Sequence, residues 1–167
     1  MITLLTTLLF SQAATIDSVR SVVNNENIIA SEIAIEEVIH KTDNATEIVW
    51  RHNENGPHAR LIMSALLRTK AATLDLYEPT EEVLFARAER IRTDLGDNNY
   101  RLFLDRHGLN NPEDLLSILR KRIIVERFVA RNISVPTTNI DQWHHELELL
   151  LIDLRASVHV RKIATEE

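Results

Sequence analysis

The chain has 167 residues, a formal net charge of −6 and a sequence pI near 5.7, which argues against general nucleic-acid binding, where a basic footprint is needed. It contains no cysteine, so disulfide frameworks and thiolate metal sites are excluded. Hydrophobic content of 44% and charged content of 26% are those of a globular chain with its own core.

Ile2 to Phe10 is an apolar run too short to span a bilayer. Ser11-Gln12-Ala13 follows, with small residues at both cleavage-determining positions. Residues 1–13 therefore read as a secretory signal peptide cut after Ala13, and residues 14–167 as a single domain. No Lys or Arg precedes the apolar run, so a buried N-terminal strand or helix is the competing reading.

Residues 18–30 read as a β-hairpin. Val19, Val22 and Val23 precede the turn, Asn24-Asn25-Glu26-Asn27 supplies turn chemistry, and Ile28 and Ile29 follow it. Ser31 is placed to cap a helix, with Glu32 at its positive end. Ile35, Val38 and Ile39 give that helix a buried stripe.

A polar stretch from about Thr42 ends at Gly56-Pro57, which suits the first turn of the next helix. Leu61, Ile62, Ala65, Leu66, Ala72 and Leu76 keep helical spacing to about Tyr77. Pro79-Thr80-Glu81-Glu82 restarts the pattern, with Leu84, Ala88, Ile91 and Leu95 on one face and Gly96 as the stop. Asp97 caps a short helix carrying Tyr100, Phe103 and Leu104, stopped by Gly108. Asn111-Pro112-Glu113-Asp114 is a strong helix start, and that helix runs to about Arg131, roughly 30 Å at 1.5 Å per residue.

After a break at Ser134–Thr138, a last helix places Ile140, Trp143, Leu147, Leu150 and Leu154 on a seam fit to pack along another helix. "LRASVHVRKI" (154–163) then alternates apolar and polar, the period of a half-buried strand. A lone hairpin is marginal in water and a lone strand cannot satisfy its own backbone. The strand from Ala156 to Ile163 is therefore expected to pair with the 18–30 hairpin, burying Val158 and Val160. The fold class is mainly α with a small antiparallel sheet drawn from both chain ends.

This layout resembles the SurA-like periplasmic chaperones and their parvulin-type relatives. "IDSVRSVVNNENIIASEI" matches the family's opening of strand, Asn-containing turn, strand and helix start. "PTEEVLFARAERIRTDLG", "DRHGL" and "LLSILRKRIIVERFVARNISV" follow its helix order, and "LRASVHVRKI" resembles its closing helix and strand. The family carries parvulin prolyl-isomerase domains between the long helix and the closing segment; here only Ser134 to Asn139 separates them. The resemblance thus implies the chaperone module without the isomerase: an ATP-independent periplasmic holdase for unfolded outer-membrane or secreted proteins. It implies no enzyme, no cofactor and no stable membrane insertion. Swapping of the terminal elements offers a route to a homodimer. The alternatives are an envelope structural adaptor with one fixed partner and an enzyme whose site assembles from distant residues.

Few residues stand out chemically. His144-His145-Glu146 is site-like, yet adjacent histidines on a helix point about 100° apart, so solvated positions rather than a metal site are expected. Glu36-Glu37 and Glu81-Glu82 read as partners of the helix dipole rather than acid–base machinery. The locally basic "LRKRIIVERFVAR", with Arg120, Lys121, Arg122, Arg127 and Arg131, reads as the solvated face of an amphipathic helix. An anionic partner or membrane surface is its functional alternative. For the client surface, the apolar or aromatic candidates are Met63, Tyr100, Phe103 and Trp143.

Overall fold

The computed structural model describes residues 17–43, 47–51, 56–71 and 74–163. The signal-peptide reading of residues 1–13 lies outside them. The elements are β1 (Val19–Val23), β2 (Glu26–Ile29), α1 (Ala30–Thr42), α2 (Ile48–Arg51), α3 (Gly56–Ala71), a 3-10 turn (Asp75–Tyr77), α4 (Glu81–Leu95), α5 (Asp97–Arg106), α6 (Pro112–Asn132), α7 (Ile140–Ser157) and β3 (Val160–Lys162). The protein is mainly helical with a small antiparallel sheet, as the sequence implies.

The sheet has the order β2-β1-β3, so the first strand lies between its hairpin partner and the last strand. β1 pairs with β2 through Val23↔Glu26, leaving a two-residue turn at Asn24-Asn25 rather than the four-residue turn read from sequence. Asn24 takes the strain at φ 51°, a left-handed conformation that Asn tolerates. β1 pairs with β3 through Ser21↔Lys162, Val22↔Arg161 and Val23↔Val160. The Asn24 N–H donates to the His159 carbonyl at 2.8 Å, and the Asn24 side-chain oxygen accepts the His159 N–H at 3.1 Å. One turn asparagine thus closes the hairpin and anchors the terminal strand.

That strand is shorter than the expected 156–163. Ala156 and Ser157 end α7 instead, because Ala is a strong helix former and the Ser157 hydroxyl donates to the Leu154 carbonyl at 3.0 Å. Burial is also lower than expected. Val158 is half-buried against the sheet's cluster, while Val160 is 38% exposed, because β3 lies at the sheet edge. Deleting residues 156–167 is expected to cost about 2–3 kcal/mol through lost ladder hydrogen bonds and the Val158 contact. The bared β1 edge should also promote self-association. Chemical denaturation and size-exclusion chromatography would check this, and an unchanged melting temperature would contradict the pairing.

Helix ends depart from the sequence reading at several points. Ser31 does not cap α1. The Asp17 carboxylate does, accepting the Ser31 N–H at 3.2 Å, and the Ser31 hydroxyl also donates to it. α3 stops at Ala71 rather than near Tyr77, and the 3-10 turn sets Tyr77 edge-on to Phe128, ring centroids 5.5 Å apart. Leu76 is consequently left exposed. The residue capping α5 is Gly96, at φ 76°, with Asp97 in the first turn. Asn111 caps α6 as expected: it accepts the Glu113 N–H at 3.1 Å, and Asp114 returns a bond to the Asn111 N–H at 3.2 Å.

α6 is the axis of the fold. Leu115, Leu116, Leu119 and Ile123 join Ile35, Ile39, Leu84, Ile91 and Phe103 in one apolar cluster. Further along, Val125, Phe128 and Val129 join Trp50, Met63, Leu67, Trp143, Leu147, Leu151 and Leu154 in another. A third cluster fixes the sheet to α3 through Val23, Ile28, Ala65 and Leu66. In α7 the buried seam runs through Trp143, Leu147, Leu151 and Leu154; Ile140, expected there, is exposed.

Candidate functional site

Two features stand out: a buried ionic chain along α6 and an open groove beside it. In the first, Glu36 of α1 accepts from Arg60 Nε of α3 at 3.0 Å and from Arg122 Nη1 of α6 at 2.6 Å. All three side chains are at most 5% exposed. Arg60 also reaches Glu37 at 3.2 Å. The Arg122 guanidinium lies 4.1 Å from the Trp50 ring centroid, a cation–π contact. The Trp50 indole N–H donates to Glu126 Oε1 at 2.7 Å, and Arg87 Nη2 donates to the same oxygen at 2.8 Å. Arg87 Nε completes the chain by donating to Asp43 Oδ2 at 2.8 Å.

The chain links α1, α2, α3, α4 and α6 through three arginines (Arg60, Arg87, Arg122) and four carboxylates (Glu36, Glu37, Asp43, Glu126). Burial pushes the Glu126 carboxyl above its ordinary pKa, opposed by Arg87 and the Trp50 N–H. Burial lowers the pKa of the neighbouring His40, and the Arg60 charge adds to that. The sequence reading assigned Glu36 to the helix dipole and Arg122 to a solvated face. Both are buried and paired instead, because α1, α3 and α6 converge on that point.

The groove runs between α4 and α6. Val83, Ala86, Ile123 and Ala130 line it with apolar surface, and Glu47, Arg90 and Arg127 are among its charged lining. Its volume is about 460 Å³, within the range of small-molecule pockets. Arg87 and Glu126 of the ionic chain also line it. Elsewhere Phe85, Leu102, Leu149 and Ile152 are 48–61% exposed. Leu149 and Ile152, three residues apart, share the outer face of α7.

The four residues nominated from sequence are placed mostly inside. Met63 and Trp143 belong to the α3–α6–α7 cluster, Phe103 belongs to the α1–α4–α6 cluster, and Tyr100 is half-buried beside it. None of them lines the groove. His144 is half-buried, with its ring edge-on to Trp143, while His145 and Glu146 are exposed. Among the described residues, no group of three or more His, Asp or Glu side chains is placed to hold a metal ion.

One Ser–His contact exists that the sequence order did not suggest: Ser21 Oγ lies 2.8 Å from His58 Nε2. Ser21 is fully buried at the β1 bulge, so the contact fastens the sheet to α3. No described helix is long and apolar enough to cross a membrane.

The described residues form a mainly helical domain with a three-stranded antiparallel sheet, and a groove between α4 and α6 is lined by apolar and charged side chains together. No family model matches the chain, and no curated protein matches it.

Proposed function

We propose that this protein is an ATP-independent periplasmic holdase that binds unfolded or partly folded outer-membrane and envelope proteins without prolyl-isomerase activity. The observation that carries this reading is the open α4–α6 groove, where Val83, Ala86, Ile123 and Ala130 present apolar surface between charged side chains. A holdase needs apolar surface that its own core does not close. The resemblance to SurA-like chaperones supports the same reading, with the hairpin and the closing strand joined in one sheet. Only residues 133–139 join α6 to α7, too few for an isomerase domain between them. With no nucleotide motif in the sequence, release follows mass action and client folding.

The test is aggregation of an unfolded outer-membrane β-barrel protein, followed by light scattering. The mature protein is expected to slow it, and to lose less protection at raised salt than a purely charge-driven binder would, since Val83, Ala86, Ile123 and Ala130 supply apolar contacts. Val83→Asp, on the groove wall, is expected to weaken client binding about fivefold or more without lowering the melting temperature. Prolyl isomerisation should stay at its uncatalysed pace of tens to hundreds of seconds. No protection of any client at several-fold excess, or isomerase activity that tracks with the protein, would end the proposal.

A second reading, an envelope adaptor with one fixed partner, is favoured by the outward apolar pair Leu149 and Ile152 on α7. Crosslinking capture from the cell envelope separates the two. Many unrelated unfolded proteins favour the holdase, and one stoichiometric partner favours the adaptor.

A further inference from the structure

The two edges of the sheet differ. β2 forms one, and its charged residue, Glu26, is tied to Arg68 and Lys121. β3 forms the other. The register of β3 against β1 fixes which of its backbone groups stay unused. The Asn24 N–H donates to the His159 carbonyl, and the Ile163 N–H donates to the Arg20 carbonyl at 3.0 Å. Val22 and Arg161 are opposite each other between these two bonds. In an antiparallel ladder, inward and outward backbone groups alternate along a strand. Residues 159, 161 and 163 therefore turn their N–H and C=O groups to β1, and Val160 and Lys162 turn theirs away from it. Among the described residues those outward groups have no hydrogen-bond partner.

The charged side chains along this edge carry one sign. Arg161 and Lys162 belong to β3 and Arg20 to the neighbouring β1. None of the three forms an ion pair among the described residues. Arg20 and Lys162 both act on His58, whose pKa is lowered first by burial and then by these two charges. Val160 adds apolar surface at the same edge. It lies opposite the buried Val23, yet is 38% exposed.

Lysine on a free edge guards a sheet against pairing with other strands. Here the guard is selective. Two β3 edges brought together would set cations against cations, which destabilises a sheet. A strand with carboxylates opposite Arg161 and Lys162 gains from both pairs instead. The charge thus disfavours a second copy at this edge and favours an acidic partner. Run antiparallel to β3, a Glu-Glu-Val segment sets its two carboxylates opposite Lys162 and Arg161 and its valine opposite Val160.

We propose that the free edge of β3 takes an extended acidic peptide segment as a fourth strand of the sheet, its backbone bonded to Val160 and Lys162 and its carboxylates paired with Arg161 and Lys162. Main-chain bonds supply affinity in such strand addition, and the side chains supply the choice of partner. The edge is separate from the α4–α6 groove, so this site stands or falls independently of the holdase reading.

The experiment uses the whole chain and two peptides, acetyl-Thr-Glu-Glu-Val-Thr amide and the same peptide with lysine in place of both glutamates. Binding is read from the backbone N–H NMR signals of Val160 and Lys162 and from their hydrogen-exchange rates. The acidic peptide is expected to shift both signals saturably and to slow exchange at both groups. It should bind about tenfold or more tighter than the basic one.

Two variants separate charge from backbone. Arg161→Glu with Lys162→Glu, both exposed, should reverse the preference between the peptides. Val160→Pro keeps both cations and removes an N–H that β1 does not use, so an edge strand tolerates it. It should weaken the acidic peptide about fivefold or more at an unchanged melting temperature. Equal binding of the two peptides, no saturable shift at Val160 and Lys162, a preference that the double variant fails to reverse, or full binding by Val160→Pro would each overturn the proposal.

Discussion

Replacing Glu36 with Ala is expected to destabilise the protein by about 3–5 kcal/mol, a large share of the roughly 5–15 kcal/mol typical of a domain. The cause is not the loss of a favourable pair in itself. Glu36 neutralises Arg60 and Arg122, both buried, at 3.0 and 2.6 Å. Without it, the Arg122 guanidinium remains in the interior with no carboxylate partner, and Arg60 keeps only the part-exposed Glu37 at 3.2 Å.

The effect should be specific to breaking the set. Replacing all three residues together, Glu36→Leu with Arg60→Met and Arg122→Met, should restore most of the stability, because well-packed apolar groups substitute for a buried ionic triad at little or no cost. Urea denaturation of the two variants tests this. A loss below about 1 kcal/mol for Glu36→Ala, the size of an exposed pair, would mean that water reaches the triad.

Truncating Trp143 to Ala should cost about 3–5 kcal/mol, since it removes the largest side chain of α7 from a closed core. Trp143 is 3% exposed and sits with Leu147, Leu151 and Leu154 on the seam that holds α7 against the α3–α6 layer. Met63→Ala should follow the same pattern at about 2–5 kcal/mol. By contrast, Phe85→Ala and Leu102→Ala, both largely exposed, should change stability by less than about 0.5 kcal/mol. Protection of an unfolded client, measured per folded molecule, sorts the two sets. If the exposed residues belong to the client surface, their loss lowers protection at constant stability. Should Trp143→Ala abolish protection while leaving the melting temperature unchanged, the side chain would have to leave the core during binding.

Much of the architecture is legible from residue order alone. Asn24-Asn25 between valine and isoleucine runs forces a hairpin, because asparagine accepts the left-handed backbone a tight turn requires. Asn111-Pro112 with Glu113 and Asp114 fixes the start of α6 to the residue, because cap, proline and acids all act locally. Even the pairing of the chain ends follows from local need, since neither hairpin nor terminal strand is stable alone.

The site was less legible, although one signal was present. Leu115, Leu119, Arg122, Glu126, Val129 and Ile133 recur along α6 at steps of four, three, four, three and four, placing two charged residues in the middle of the apolar face. Charges on a buried stripe announce partners inside the fold.

What the sequence by itself determined is most of the elements, several of their ends, and the closure of the sheet, because capping, turn geometry and amphipathic period are written within a few neighbouring residues; α2 (Ile48–Arg51), inside a stretch that reads as polar, and the separate 3-10 turn at Asp75–Tyr77 were not among them. What only the tertiary structure decided is which apolar residues became core and which charges became interior. Met63, Phe103 and Trp143 have the same chemistry as Phe85 and Leu102, and only the convergence of α3, α6 and α7, and of α1, α4 and α5 with α6, separates them. Glu36, Arg60 and Arg122 lie 24 and 62 residues apart in the chain, from Glu36 to Arg60 and from Arg60 to Arg122. A buried charge is tolerable only where a counter-charge arrives from another element, and that arrival is a property of the packed fold rather than of any local stretch.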